Sequence, residues 1–140
     1  LNKGLHLIKK YNKIIFLFPE KEPLGLQNGF NSFCKQHNIV SELCYSIKDR
    51  PLNSGEIYII PDDRNLIQII KNIKENGLVI GQDIGIISYN DTLLKEIVEG
   101  GITTISTDFK QMGERLAAMV TNKEHLQIEN PCHFILRKSL

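Results

Sequence analysis

The sequence contains no tryptophan, two methionines and three cysteines in 140 residues. The odd number of cysteines and the lack of any Cys-x-x-Cys spacing argue against a disulfide framework, so we expect a reducing, cytoplasmic compartment. No apolar run approaches the roughly eighteen residues that a membrane-spanning helix needs, so we expect no membrane partner. A formal net charge of +1 gives the chain no electrostatic means of binding nucleic-acid phosphates by itself.

The histidines and the polar residues show no catalytic pattern. The spacing of His6, His37, His125 and His133 indicates neither a zinc site nor a nucleophile–base pair. We therefore expect no cofactor and no enzymatic activity. The first residue is Leu1, and the opening residues lack the apolar core of a signal peptide, so we expect the chain to begin at an internal cut.

Short apolar runs alternate with segments of helical periodicity along the chain. The predicted strands are 13–18, 39–45, 56–60, 84–89, 102–106 and 133–137. The predicted helices are 1–11, 24–37, 64–76, 92–98 and 109–120. Because most of the strands are continuous apolar runs, we expect them to be buried on both faces. The pattern therefore predicts an α/β fold with a doubly wound, mostly parallel sheet.

Local signals mark several boundaries of these elements. Asp62 or Asp63 can cap the helix that follows them. Asp108 and Gln111 have the spacing of a capping box. Residues 46–55 are too few for the usual crossover helix between parallel strands, so at most a turn or two of helix is expected there.

The second half of the chain carries three motifs in order. Residues 77–91 end in Ser-Tyr-Asn-Asp after an apolar run, residues 102–105 are Ile-Thr-Thr-Ile, and residues 109–117 begin with Phe-Lys-Gln-Met-Gly. Shorter matching segments lie at 6–11, 29–30, 58–63 and 134–139. Together these segments resemble the lactose/galactose repressor (LacI/GalR) family of transcription regulators.

The resemblance implies one lobe of a type I periplasmic-binding-protein-like fold, in which two lobes surround a ligand cleft. Residues 1–140 would form the C-terminal lobe of an effector-binding domain. Segment 103–121 would cross to the first lobe and segment 133–140 would return, while the first lobe and the DNA-binding head would be absent. The same effector domain also occurs behind winged-helix heads of the GntR type, so the kind of head stays open.

The resemblance also assigns candidate ligand-binding residues. Three ligand-contacting positions of the family fall on Asp62, Asn90 and Leu26, and Leu26 replaces an arginine. Asp62 and Asn90 can each hydrogen-bond sugar hydroxyls, whereas Leu26 argues against recognition of a carboxylate or phosphate there. Glu20 and Tyr45, at two other predicted strand ends, are further ligand-binding candidates.

Each of these polar residues also has a plain structural interpretation. Asp62 can serve as a helix cap, and Asn90 with Asp91 can simply begin the next helix. Glu20 can be a solvated loop charge, as surface acids usually are. The sequence leaves both interpretations open at all three positions.

The function that the resemblance implies is effector sensing and dimerisation within a sugar-responsive repressor. A small molecule, a sugar or sugar derivative, would favour the closed cleft, and DNA would be bound only through the absent head. Without the first lobe, helix 109–120 would expose its apolar stripe. We therefore expect a homodimer, swapped or symmetric, formed through this helix.

A phospho-receiver domain is the alternative function. It would need an acidic pair after the first strand and a lysine after the fifth, close to the phosphate. Glu20, Glu22 and Asp62 imitate the acidic set, but Thr-Asp stands at 107–108 where the lysine would be. A dehydrogenase is a weaker alternative, because the glycines between 77 and 85 are spaced by four and do not form Gly-x-Gly-x-x-Gly.

Overall fold

The computed structural model describes residues 1–18, 24–48 and 50–140 of the chain. Short 3-10 turns lie at Asn2–Gly4 and Val98–Gly100. The helices are α1 (Leu5–Ile8), α2 (Leu24–His37), α3 (Asp63–Glu75), α4 (Leu93–Ile97) and α5 (Phe109–Asn122). The strands are β1 (Lys13–Leu17), β2 (Ser41–Cys44), β3 (Glu56–Ile60), β4 (Ile84–Tyr89), β5 (Thr103–Thr107) and β6 (Cys132–Ile135).

The strands form one sheet in the order β2-β1-β3-β4-β5-β6. Neighbouring strands from β2 to β5 are parallel, and β6 pairs with β5 in the antiparallel direction. All of β3 and the first five residues of β4 are buried, as expected for strands covered on both faces. The predicted α/β class, with a doubly wound and mostly parallel sheet, is confirmed.

Helices cover both faces of this sheet and create two cores. On one face, buried residues of α3 pack against side chains of β1, β3 and β4: Leu66, Ile69, Ile70, Ile73, Ile15, Tyr58, Ile60 and Ile86. On the other face, α1 and α2 pack against the alternate side chains of the same strands: Ile8, Phe30, Phe33, Cys34, Ile14, Phe16, Ile57 and Ile87. Because β3 and β4 are parallel neighbours, their carboxyl ends lie side by side at one edge of the sheet, where α3 and α4 begin.

Most predicted elements are confirmed, and the differences lie at the start of the chain and at the sheet edges. The predicted helix 1–11 is shortened to a 3-10 turn at Asn2–Gly4 followed directly by α1. The Asn12 amide donates to the Gly55 carbonyl at 2.7 Å and turns the chain into β1 before the helix can continue. The predicted strands 39–45 and 133–137 are shortened to β2 and β6, each of which has a paired neighbour on one side.

The connection between β2 and β3 contains no helix in its described residues, in line with its short length. A polar network ties it to the sheet. The Arg50 guanidinium donates to the Glu42 carboxylate and to the Tyr58 hydroxyl, which in turn donates to Glu56 at 2.6 Å. Hydrogen bonds from Arg50 and Lys13 lower the pKa of Glu42 to about 2. Charged and polar side chains thus hold this short connection against β2 and β3.

Candidate functional site

The candidate site lies where β3 and β4 end. These strands are parallel neighbours, and their register pairs Ile60 with Ser88. Asp62 and Asn90 each come two residues after this pair, just beyond the ends of two adjacent strands. Adjacent strands are about 4.8 Å apart. The fold therefore places these two of the four predicted ligand-binding residues at the ends of neighbouring strands.

Asp62 is the N-cap of α3. Its extended backbone places one carboxylate oxygen 2.9 Å from the Asn65 amide nitrogen, and the other accepts from the Asn65 side-chain amide at 2.7 Å. The predicted cap is confirmed at Asp62, and Asp63 is the first residue of the helix. The partly buried Asp62 side chain thus already carries two hydrogen bonds, and a ligand would use the remaining lone pairs of its oxygens.

Asn90 combines a fixed backbone with an exposed side chain. Its φ angle of 58° is left-handed, a region that asparagine tolerates better than most residues. Its amide donates to the Ile105 carbonyl at 2.9 Å, and its own carbonyl accepts from the Lys95 ammonium at 3.0 Å. The helix cap after β4 is Thr92, not Asn90 or Asp91. The side chain of Asn90 is therefore presented to solvent from a held main chain.

Asp91, next to Asn90, forms a two-pronged ion pair with Arg137 from the end of the chain. The guanidinium nitrogens donate to the two carboxylate oxygens at 2.6 and 2.8 Å, and the Thr104 hydroxyl donates at 3.0 Å. The hydrogen bond from Arg137 is the main cause that lowers the pKa of Asp91. Both side chains are mostly buried, at 25% exposure for Asp91 and 15% for Arg137. This pair anchors the strand end on which Asn90 sits.

Ser139 anchors the same region from within the sheet. Its buried hydroxyl donates to the Ile86 carbonyl and accepts from the Thr103 amide, each at 2.7 Å, so it joins β4 to β5. Gly81, which precedes β4, has a φ of +81° and lies against the Lys138 carbonyl, where a Cβ atom would collide. Several motif residues behind the family resemblance therefore hold the last residues of the chain in place.

Sequence reasoning missed the roles of Arg137, Ser139 and Lys95. The closing Arg-x-Ser segment was visible as a motif, but its partners lie 46 and 53 residues away, at Asp91 and Ile86. No local spacing encodes such contacts. Lys95 carried no signal other than its place three residues after Thr92, and it is buried at 3% exposure.

The other predicted site residues lie apart from this pair. Tyr45 follows the edge strand β2, with β1 and β3 between it and β4, and its side chain is 64% exposed. Glu20 lies outside the described residues. Leu26 lines an apolar cavity of about 200 Å³ with Phe30, Ile59 and other side chains near the strand ends. The prediction that Tyr45 and Glu20 bind ligand therefore rests on the sequence.

A larger cavity of about 540 Å³ lies beside the site, between the connection after β2 and the outer face of α3. Its polar lining comes from Ser46, Lys48, Gln68, Asn72 and the Asp62 partner Asn65. Within the described ranges, no group of three or more His, Cys, Asp or Glu side chains could hold a metal ion. No helix in these ranges is long and apolar enough to cross a membrane.

Comparison with known proteins identifies the family. The sequence model of the family described as periplasmic binding protein-like domain matches residues 6–140. The chain belongs to this family. It is also 31% identical over 86 residues to the HTH-type transcriptional regulator GalR of Streptococcus thermophilus, a match that covers 59% of this chain and 26% of the regulator. The predicted resemblance to LacI/GalR regulators is confirmed.

Solved structures agree on the fold. A periplasmic binding protein/LacI transcriptional regulator of Alkaliphilus metalliredigens, complexed with D-xylulofuranose, superposes with a TM-score of 0.72 at 19% identity, covering 99% of this chain and 60% of that one. The lac repressor dimer bound to operator and the anti-inducer ONPF gives 0.75 at 18% identity, covering 98% and 48%. At these identities the likeness establishes the fold alone. The chain spans about a quarter to three fifths of the length of these relatives.

The phospho-receiver alternative is not favoured by the family match. At the carboxyl end of β5, where that function would need a lysine, Asp108 caps α5 by accepting from the Gln111 amide at 2.9 Å. The second half of the predicted capping box does not form, because the Asp108 amide donates to the Pro131 carbonyl at 3.0 Å. The Asp108 carboxylate also lies 3.3 Å from the His133 ring.

Proposed function

We propose that this chain is the effector-sensing and dimerisation portion of a bacterial transcription regulator that responds to a sugar or sugar derivative. The observation that supports this most is the placement of Asp62 and Asn90 just after the ends of adjacent strands, in a chain of the periplasmic binding protein-like family. Carboxylate and amide oxygens hydrogen-bond hydroxyl groups, and the amide also donates. A sugar is therefore the ligand class that fits this pair.

The same proposal extends to partners and place of action. The sugar would favour one arrangement of the cleft, and the difference in affinity between two arrangements would drive the response. DNA would be contacted by a head outside these 140 residues, since the formal net charge here is +1. Such a regulator would act in the cytoplasm, without a cofactor and without covalent chemistry.

The dimer and the lobe crossing are part of the proposal. Four of the five apolar side chains along one stripe of α5 are exposed, Phe109 at 49%, Met112 at 36%, Leu116 at 61% and Val120 at 72%, and the fifth, Met119, is half-buried. Apolar stripes of this kind mark a contact surface. We assign the stripe to a second copy of the chain, with segment 103–121 running towards a first lobe and 133–140 returning to the sheet.

The test is a sugar titration of the ¹⁵N-labelled chain, followed by amide chemical shifts. The panel contains pentoses and hexoses, beginning with D-xylulose, then sugar acids and sugar phosphates. We expect a sugar to shift the amides around Asn90 and Asp62, and Asn90→Gly to abolish that shift. Glycine is chosen because it accepts the φ of 58° that alanine would strain.

Asn38→Gly is the matched control. Asn38 has the same left-handed backbone, with a φ of 53°, but precedes β2 at the opposite end of the sheet. Binding should survive this change. If no member of the panel shifts the amides near Asn90, or if Asn90→Gly binds as the parent does, sugar sensing at this site is wrong.

A further inference from the structure

Helix α4 is attached to the sheet in an unusual way. Its large apolar side chains face solvent, with Leu93 at 84%, Leu94 at 55% and Ile97 at 73% exposure. Among the residues of α4, which are all described, only Lys95 is buried. A surface helix normally buries an apolar stripe, whereas the buried side chain of α4 is a charged one.

The Lys95 ammonium is fully satisfied by three oxygen acceptors. It donates to the Tyr89 carbonyl at 2.6 Å and to the Asn90 carbonyl at 3.0 Å, and it lies 2.7 Å from the Asp63 carboxylate. An ammonium has three hydrogens, so each has one acceptor. A charge removed from water in this way is tolerated only because it is paired and hydrogen-bonded.

The three acceptors belong to both strand ends of the candidate site. Two of them are main-chain carbonyls at the end of β4, one from Asn90 itself. The third is Asp63, the residue next to Asp62 at the start of α3. One ammonium therefore holds the main chain beneath Asn90 and the helix start beside Asp62.

We propose that Lys95 is a positioning residue that fixes Asp62 and Asn90 relative to each other. The inference rests on the proposed function only in treating these two residues as a sugar site. Lys95 is buried and does not reach the site from the solvent side. It acts through its bonds to the main chain of Asn90 and to the Asp63 carboxylate. It also makes the placement of α4 depend on the two strand ends.

Hydrogen exchange of the ¹⁵N-labelled chain tests this inference without any ligand. The reporters are the Asn90 amide, bonded to Ile105, and the Asp91 amide, bonded to the Ser106 hydroxyl. The Ile86 amide, bonded to Ser139 inside the sheet, reports general stability. Lys95→Met keeps the length of the side chain and removes the ammonium.

We expect Lys95→Met to speed exchange at Asn90 and Asp91 by about tenfold or more while Ile86 stays protected. Asp63→Asn should give a smaller acceleration at the same two amides, and its 57% exposed side chain allows this change without unfolding. Lys74→Met is the matched control, because the 60% exposed Lys74 pairs with Glu99 at 2.6 Å, away from both strand ends. It should leave all the reporter amides unchanged.

Two results would overturn the positioning role. One is an exchange rate of the Asn90 amide that equals the parent's in both Lys95→Met and Asp63→Asn. If Lys95→Met does not fold, an unchanged rate in Asp63→Asn alone has the same meaning. The other is equal acceleration at Ile86, which would make Lys95 a residue of general stability. The sugar titration of the parent chain is separate, so its failure would refute the sensing function and leave the exchange result to decide on Lys95.

Discussion

At the scale of single residues, the hydroxyl of Ser139 shows how one side chain can join two strands. It bridges the Ile86 carbonyl and the Thr103 amide in a fully buried position. Ser139→Ala would leave both groups without that partner, and an unsatisfied buried group costs about 1–3 kcal/mol. Because two groups lose their partner, we expect the free energy of unfolding in urea to fall by at least that amount.

A serine-to-alanine change on the surface provides the comparison. Ser54 is exposed in the connection before β3. Ser54→Ala should change the free energy of unfolding by less than about 0.5 kcal/mol. If both variants had the same small effect, the bridge between β4 and β5 would contribute nothing measurable.

The Asp91–Arg137 pair makes stability depend on pH in a definite direction. The pKa of Asp91 is lower in the folded chain than its ordinary value, mainly because Arg137 donates to its carboxylate. Its stabilisation is therefore complete above the unfolded pKa and is lost as the pH falls through the lower folded pKa. Asp91→Asn should cost about 2 kcal/mol near neutral pH.

Urea unfolding from about pH 6 to about pH 2 measures this effect. The difference between the parent and Asp91→Asn should shrink as the pH falls, because protonation removes the same charge that the substitution removes. Glu114→Gln, at an exposed position on α5, is the control for loss of one acid. A difference that stayed constant with pH would show that the ion pair is not the source of the stabilisation.

At the scale of elements, α3 is the helix whose start the sequence specifies most clearly. Asp62 accepts from the Asn65 amide, so Asp62→Ala should lower the free energy of unfolding by about 1 kcal/mol. Asparagine caps helices as well as aspartate does, so Asp62→Asn should keep the stability within a few tenths of a kcal/mol. Thermal and urea unfolding of both variants check this.

This difference decides which variant can test the sugar site. A loss of sugar binding in Asp62→Ala would mix the lost cap with the lost ligand contact, whereas Asp62→Asn would isolate the change of charge. If Asp62→Asn proved as unstable as Asp62→Ala, the cap would need the carboxylate itself, and the second bond from the Asn65 side chain would be the reason.

The elements were predictable where local signals agreed with packing. Apolar runs predicted β3 and β4. The cap Asp62 and the helical spacing of the isoleucines after it predicted α3. The helix predicted at 1–11 ends early, and the sequence could not show this because the bond from Asn12 to Gly55 is a tertiary contact. For the site, the strand-end position of Asn90 was predictable from the run that precedes it.

The supports of the site were not predictable in the same way. The Asp91–Arg137 pair spans 46 residues, and the burial of Lys95 depends on the end of β4 and the start of α3, which meet only in the folded sheet. These contacts follow from strand order and register, which no spacing along the chain specifies. Ionic groups in a sequence therefore identify a site less reliably than the strand ends that carry them.

At the scale of the whole molecule, the exposed stripe of α5 determines how copies of the chain should associate. Burying Leu116 in a symmetric contact contributes about 2 kcal/mol per copy, or about 4 kcal/mol per dimer. Leu116→Glu should therefore raise the Kd of the dimer by on the order of a thousandfold. Sedimentation velocity should show a dimer for the parent and a monomer for this variant.

Ile67→Glu is the control variant. It distinguishes the loss of a specific contact at Leu116 from the general effect of an added negative charge. Ile67 is an apolar residue on α3 with 49% exposure, close to the 61% of Leu116, but it lies outside the α5 stripe. The substitution Ile67→Glu should leave the dimer intact. A monomeric parent would refute the dimer through α5. A dimer that Ile67→Glu breaks and Leu116→Glu does not would place the contact on α3, because the apolar side chain that matters would then belong to that helix.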